Sequence, residues 1–145
     1  RLEIKGVAKG VTVIDDYAHH PTEIKTTLQS VRTSWPDQRI VGVFQPHRYT
    51  RTQALFDEFT RAFYQTDQLI LVPIYSAGEE KIAGVSHTLL CEGIQAHGHK
   101  NVTCTESFEE ALALLGNDVR EGDIVMTMGA GDILTLGETL LEQLT

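Results

Sequence analysis

Along this chain, short runs built almost only of Val, Ile and Leu take turns with stretches whose apolar residues return every three or four positions. The first segment, "RLEIKGVAKGVTVID", alternates apolar and polar residues around a Lys-Gly step, which predicts a hairpin with strands at 2–7 and 11–15. Pro21 stands where a helical pattern opens, and Ile24, Leu28, Val31 and Trp35 share one face of it until Pro36. "RIVGVF" at 39–44 is a continuous apolar run of the kind a buried parallel strand requires. Leu55, Phe59 and Phe63 then predict a second amphipathic helix, and "QLILVP" at 68–73 a third buried strand.

The second half repeats the scheme. Ser86 is placed to cap a helix ending near Gly98, and "NVTC" reads as a short strand. Ser107 and Glu110 form a capping-box pattern ahead of "ALALL". "DIVMTM" at 123–128 supplies the last strand, and a closing helix carries Ile133, Leu140 and Leu144 on one face. Strands that alternate with helices require a parallel sheet joined by right-handed crossovers. The expected architecture is therefore α/β: a Rossmann-like, mostly parallel sheet with helices on both faces and an N-terminal β-hairpin. Residues 1–145 are expected to form one domain, and the direct entry at Arg1 into strand-like sequence suggests a piece of a longer protein.

Composition narrows the function. A formal net charge of −8 argues against a general nucleic-acid binder, since phosphate binding relies on clustered Lys and Arg. No stretch approaches the about 20 apolar residues that span a bilayer, so no membrane partner is expected. Two cysteines, Cys91 and Cys104, without CxxC spacing, read as reduced thiols of a cytoplasmic protein rather than a disulfide or zinc framework.

In a parallel α/β sheet the strand-to-helix loops gather at one edge, and ligands bind there. Those loops hold most of the candidate chemistry. Asp15, Asp16, Tyr17, His19 and His20 follow the first parallel strand; His47, Arg48, Tyr49, Thr50 and Arg51 follow the second. Tyr75, Ser76, Gly78 and Glu79 follow the third, and Gly129, Gly131 and Asp132 the last. Taken singly, each has an ordinary explanation: an aspartate capping a turn, a histidine beginning a helix, an exposed arginine. "QPHRYTR" is harder to dismiss, because two guanidiniums beside a histidine suit a carboxylate or phosphate held in a bidentate fork. The terminal "GAG" lacks the third glycine of a dinucleotide fingerprint, Leu134 standing there, yet could let backbone approach a ligand. Neither a nucleophile elbow nor a phosphate-cradling GxxxxGK[ST] loop is present.

"DDYAHHPTEI", followed by "FQPHRYTRT", an "AGE" loop and a terminal "GAGDI", resembles the C-terminal domain of the Mur ligases over essentially the whole chain, and within that family the alanine-adding branch most closely. The branch that recycles murein tripeptide is similar in the first motif and differs at the second. The resemblance implies a three-domain ATP- and Mg2+-dependent enzyme that joins L-alanine to the carboxylate of UDP-N-acetylmuramate. A central ATPase domain, against which this one packs, would hold the phosphates and magnesium. By motif, Asp16 and Tyr17 would meet the nucleotide, and Asp16 its ribose. Tyr17, His19, His47, Arg48 and Arg51 would line the acceptor side, with Asp16, His47, Arg48 and Arg51 closest to the chemistry. Asp15 and His20 would hold the loop in shape, and no residue here is assigned to a metal. Alone, the chain would fold without catalysing.

Two readings from other classes stand beside it. A metal-dependent phosphoesterase could use the Asp-Asp and His-His residues with His47 to hold two divalent ions, although Arg48 and Arg51 would repel them. A binding or regulatory domain could retain the fold without the enzyme.

Overall fold

The computed structural model describes residues 1–145 and forms a six-stranded sheet in the order β1-β2-β6-β3-β4-β5. Its strands are β1 (Leu2–Ala8), β2 (Val11–Asp16), β3 (Ile40–Phe44), β4 (Gln68–Leu71), β5 (Val102–Cys104) and β6 (Ile124–Met128). Only β1 runs antiparallel to its neighbour, through the expected hairpin. Lys9 and Gly10 both adopt positive φ (52° and 75°), the arrangement a two-residue turn needs to match strand twist.

The helices are α1 (Pro21–Ser34), α2 (Tyr49–Ala54), α3 (Phe56–Phe59), α4 (His87–Ala96), α5 (Phe108–Asp118) and α6 (Leu134–Leu144). Each buried strand sends alternate residues to opposite faces, and the two faces bury separate apolar clusters. Ile14, Ile40, Phe44, Leu69 and Met126 meet Ile24, Leu28 and Val31 of α1, Phe59 of α3 and Leu90 and Ile94 of α4. On the other face Val13, Val41, Val43, Ile70 and Val125 meet Ala111 and Leu115 of α5 and Leu136 and Leu140 of α6. The chain steps outward from β2 to β5 over one face and returns to β6 over the other. This reversal inserts β6 between β2 and β3, so the loops leaving these three strands become neighbours.

Two local expectations change. The single amphipathic helix through Phe63 is two short pieces broken at Leu55, after which Arg61 and Ala62 donate to carbonyls only three residues back, Glu58 and Phe59. Phe63 therefore lies outside α3 yet remains buried, its ring centroid 5.1 Å from that of Phe44. The pairing of Ser107 with Glu110 is half realised. Ser107 Oγ accepts from Glu110 N at 3.1 Å, while the Glu110 carboxylate turns to Glu106 N at 3.2 Å.

Candidate functional site

Strand alternation sends the two aspartates at the end of β2 to different tasks. Asp15 accepts a hydrogen bond from Thr127 Oγ1 (2.6 Å), and burial raises its carboxyl above the ordinary range against the opposing pull of Thr127 and Lys5. Asp16, 5 % exposed, accepts from Thr27 Oγ1 of α1 (2.5 Å) and, two residues on, from Ala18 N (2.9 Å). Both oxygens are engaged, and Asp16 borders a cleft of about 540 Å³ between β2 and α1 that Tyr17, Thr22, Thr26 and Ser30 also line. Tyr17, 58 % exposed, forms one wall of that cleft.

Beyond Tyr17 the loop turns toward the second motif. His19 Nδ1 donates to Tyr17 O (2.9 Å), and the His19 ring meets the Tyr17 ring edge-on at 5.3 Å. The His19 ring lies 6.0 Å from that of His47, which joins the two longest motifs across the switch point. Glu23, in the first turn of α1, accepts from the backbone N–H of both His19 and His20, each at 3.1 Å, and these bonds hold its carboxyl below the usual value. His20 thus stands at the N-cap of α1, where the sequence reading expects a helix to begin, with its backbone N–H held by Glu23.

The second loop is held open by the third. Tyr75 N–H donates to Pro46 O and Arg48 N–H donates to Tyr75 O, both at 2.8 Å, which carries the β3–β4 pairing past the ends of the strands. The His47 and Tyr75 rings stack at 5.4 Å with their planes 11° apart. Arg51, one helical turn after His47, donates from Nη1 to His47 Nδ1 (3.1 Å) and to His47 O (3.2 Å). Accepting at Nδ1 places the proton of a neutral imidazole on Nε2. Burial first, then Arg51, His19 and Arg48, push the His47 pKa below its ordinary 6.5, and only Glu79 opposes them. His47 is accordingly a neutral donor at pH 7, flanked by two guanidiniums.

Glycines of the fourth loop serve the protein's own packing. A Cβ on Gly129, whose φ is 152°, would stand 2.9 Å from Gln45 O; one on Gly131 would stand 2.7 Å from both Gln45 Oε1 and Tyr75 Cγ. Backbone close approach is therefore to the QP segment and Tyr75, and the small residues let loops two, three and four interlock. Gln45 Nε2 donates to Asp132 Oδ1 at 2.9 Å to complete the contact.

The predicted residues thus fall into two adjoining groups. Asp16 and Tyr17 border the β2–α1 cleft; His19, His47, Arg48 and Arg51 gather beside it, with the Arg48 side chain 44 % exposed and within 3.7 Å of Glu79. This second group can accept an anion from the open side, and a neutral His47 can donate to it from Nε2. Sequence reasoning missed Thr27, and it noted Gln45 within the QPHRYTR motif and Tyr75 in the third loop without giving either a supporting role. Thr27 carries no local signal, whereas Tyr75 and Glu79 stand in the "YSAGE" loop, whose positive φ at Ala77 and Gly78 (53° and 88°) turns the chain back. Three metal-donor side chains, His87, Cys104 and Glu106, lie within 4.8 Å of one another at the far end of the sheet, where none of the Asp/His residues expected of a phosphoesterase takes part. His87 Nε2 donates there to Thr105 O at 2.8 Å. Both cysteines are free thiols.

Comparison with known proteins identifies the family and the fold. The family described as Mur ligase, glutamate ligase domain, matches residues 1–131. A UDP-N-acetylmuramate–L-alanine ligase of Desulforapulum autotrophicum is 62 % identical over 98 % of this chain and 31 % of its own length, so the chain spans about a third of such relatives. The crystal structure of a UDP-N-acetylmuramate–alanine ligase from Thermotoga maritima superposes with a TM-score of 0.77 at 25 % identity, over 97 % of this chain and 28 % of that one. A murein peptide ligase from Psychrobacter arcticus reaches the same TM-score at 22 % identity, over 98 % and 29 %, and so shares the fold. With the family's pattern running from the hairpin to the GAGD loop, this chain belongs to the Mur ligase family and carries its glutamate ligase domain.

Proposed function

We propose that this chain is the amino-acid-presenting, C-terminal part of a cytoplasmic three-domain ligase that joins L-alanine to UDP-N-acetylmuramate at the expense of ATP in peptidoglycan precursor synthesis. The observation that carries this reading is the pair of guanidiniums at the start of α2, set around a neutral His47 whose ring lies 6.0 Å from that of His19. An amino-acid carboxylate fits such a fork, and fixing it there leaves the amine free to attack. In the implied reaction the γ-phosphoryl group passes from ATP to the muramoyl carboxylate, giving ADP and an acyl phosphate. The amine adds to that carbonyl, and the tetrahedral species expels phosphate to leave the amide. Arg48 and Arg51 offset negative charge on the acceptor carboxylate and at the reacting centre. Tyr17 and the Asp16 side of the β2–α1 cleft border the surface the nucleotide would reach.

Magnesium fits poorly on these residues. Asp15 is bonded to Thr127 and Asp16 to Thr27 and Ala18, so they do not converge as a pair of hard oxygen ligands. Magnesium and the phosphate loop are assigned to the central ATPase domain, and the chain alone is expected to make no product. The same separation of Asp15 from Asp16 counts against a phosphoesterase.

The test is phosphate release by the longer polypeptide that carries this chain, supplied with ATP, magnesium and UDP-N-acetylmuramate. Release should require L-alanine and not murein tripeptide, and Arg48→Ala should lower kcat/KM by an amount equivalent to about 2–4 kcal/mol of transition-state stabilisation. Release indifferent to the amino acid would sink the reading.

A further inference from the structure

We propose that Glu79 is a positioning residue of the arginine loop, holding Arg48 and the first turn of α2 where an acceptor carboxylate must meet them; the inference rests on the ligase reading above. The helix that carries Arg51 is only six residues long and has no side-chain cap of its own, since its N-cap position is Arg48. So short a helix holds its orientation poorly without tertiary support. Glu79 supplies that support from another loop. Its Oε1 accepts from Thr50 N at 3.1 Å, and its Oε2 accepts from Thr50 Oγ1 at 2.5 Å. Oε2 also stands 3.7 Å from Arg48 Nη1. One carboxylate therefore satisfies an open amide of α2, its hydroxyl neighbour, and the guanidinium that precedes the helix.

Three features show how the protein arranges this. The hydrogen bonds from Thr50 act first to hold the Glu79 carboxyl below the ordinary range, with Tyr49 N–H and Arg48 assisting, so the group is ionised wherever the enzyme would work. Successive positive φ values at Ala77 and Gly78 reverse the chain and aim Glu79 back at α2. The loop is registered against the arginine loop by the two backbone bonds between Tyr75 and residues 46–48. At 3.7 Å, with the Arg48 side chain 44 % exposed, Glu79 steers the guanidinium without using up its five donors.

The decisive comparison is Glu79→Gln in the longer polypeptide, with KM measured separately for L-alanine, ATP and UDP-N-acetylmuramate. Glutamine keeps one acceptor for Thr50 but loses the charge and the second acceptor. Positioning requires that KM for L-alanine rise by about tenfold or more while the other two KM values change by less than about twofold. Thr50→Ser, which keeps the hydroxyl, should behave as wild type; Thr50→Val should move in the direction of Glu79→Gln. A fall in the KM for L-alanine would show Glu79 to be only a negative charge near the site and would overturn the proposal. Equal rises in all three KM values would reduce it to general stability, with the same consequence. Should wild type itself release phosphate without regard to L-alanine, the ligase reading fails, and the 145-residue chain still decides the structural claim. There, Thr50 amide exchange should quicken and the Arg48 Nε–H order parameter should fall in Glu79→Gln. No change in either would refute the claim that Glu79 holds Arg48.

Discussion

At Arg48 the backbone takes φ 75° and ψ 139°, a region that residues other than glycine rarely occupy. Thr52 and Tyr75 pin it there through N–H and C=O, so tertiary hydrogen bonds hold the strained conformation. Arg48→Gly should therefore raise stability by about 1 kcal/mol in urea unfolding while abolishing alanine-dependent phosphate release. Unfolding of the 145-residue chain that is easier in Arg48→Gly than in wild type would contradict this. Titration gives a second expectation. His47 and His99 both have pKa values lowered from 6.5, chiefly by burial, with His99 near Thr66 and Asp67. A depressed histidine binds its proton more readily when unfolded, so stability should fall as pH drops through about 6.5 and the loss should be complete below the folded value. The urea midpoint should shrink between pH 7.5 and pH 5, less so in His99→Gln; a flat profile in wild type would count against it. At this scale the sequence marks candidate side chains but not what they touch. The bond from Thr27 to Asp16 spans eleven residues between a strand and a helix, and no local pattern announces it.

Among the elements, two glycines inside helices separate packing from propensity. In α4 a Cβ on Gly93 would lie 2.7 Å from Thr60 Cγ2 and 3.2 Å from the Phe56 ring, whereas Gly116 in α5 faces open space. Gly116→Ala should stabilise the chain by up to about 1 kcal/mol through helix propensity. Gly93→Ala should instead cost about 1–3 kcal/mol, as overpacking against α3 outweighs the same gain. Thermal melts of the two variants should move in opposite directions, and a common direction would defeat the argument. Apolar runs, apolar spacing and cap residues together located every strand and four of the six helices, because buried strands fill both faces of the sheet and each helix presents one apolar face to it. The 56–63 segment escaped it, since Phe59 and Phe63 keep helical spacing while the chain between them tightens into three-residue bonds. Spacing records which side a residue faces, and a turn can meet that demand as well as a helix.

For the molecule as a whole, α6 matters more than its place at the end suggests. It lies beyond residue 131, where the family's match stops, yet Leu136 and Leu140, with Ile133 just before it, close the second apolar face over Val13 and Val125. Three such side chains contribute about 5 kcal/mol or more, against a whole-domain stability of about 5–15 kcal/mol. A chain ending at Gly131 should show no cooperative melt by circular dichroism, and a normal melt would show that the face closes without α6. No helix here is long and apolar enough to cross a membrane.

On the ligase reading proposed above, the interlocking of three loops through Gly129, Gly131, Gln45 and Tyr75 has a practical corollary for anyone who would retarget this domain to another amino acid. Transplanting residues 45–51 alone from a ligase of different specificity would bring in a loop without its counterparts. The imported side chains would then meet a Tyr75 stack, a Glu79 carboxylate and two glycine clearances shaped for other atoms. The smallest exchangeable cassette is three separate segments, 45–51, 75–79 and 129–132, moved together. Natural drift toward a new acceptor faces the same arithmetic, for a single substitution in one loop must be tolerable to the other two before it can be useful.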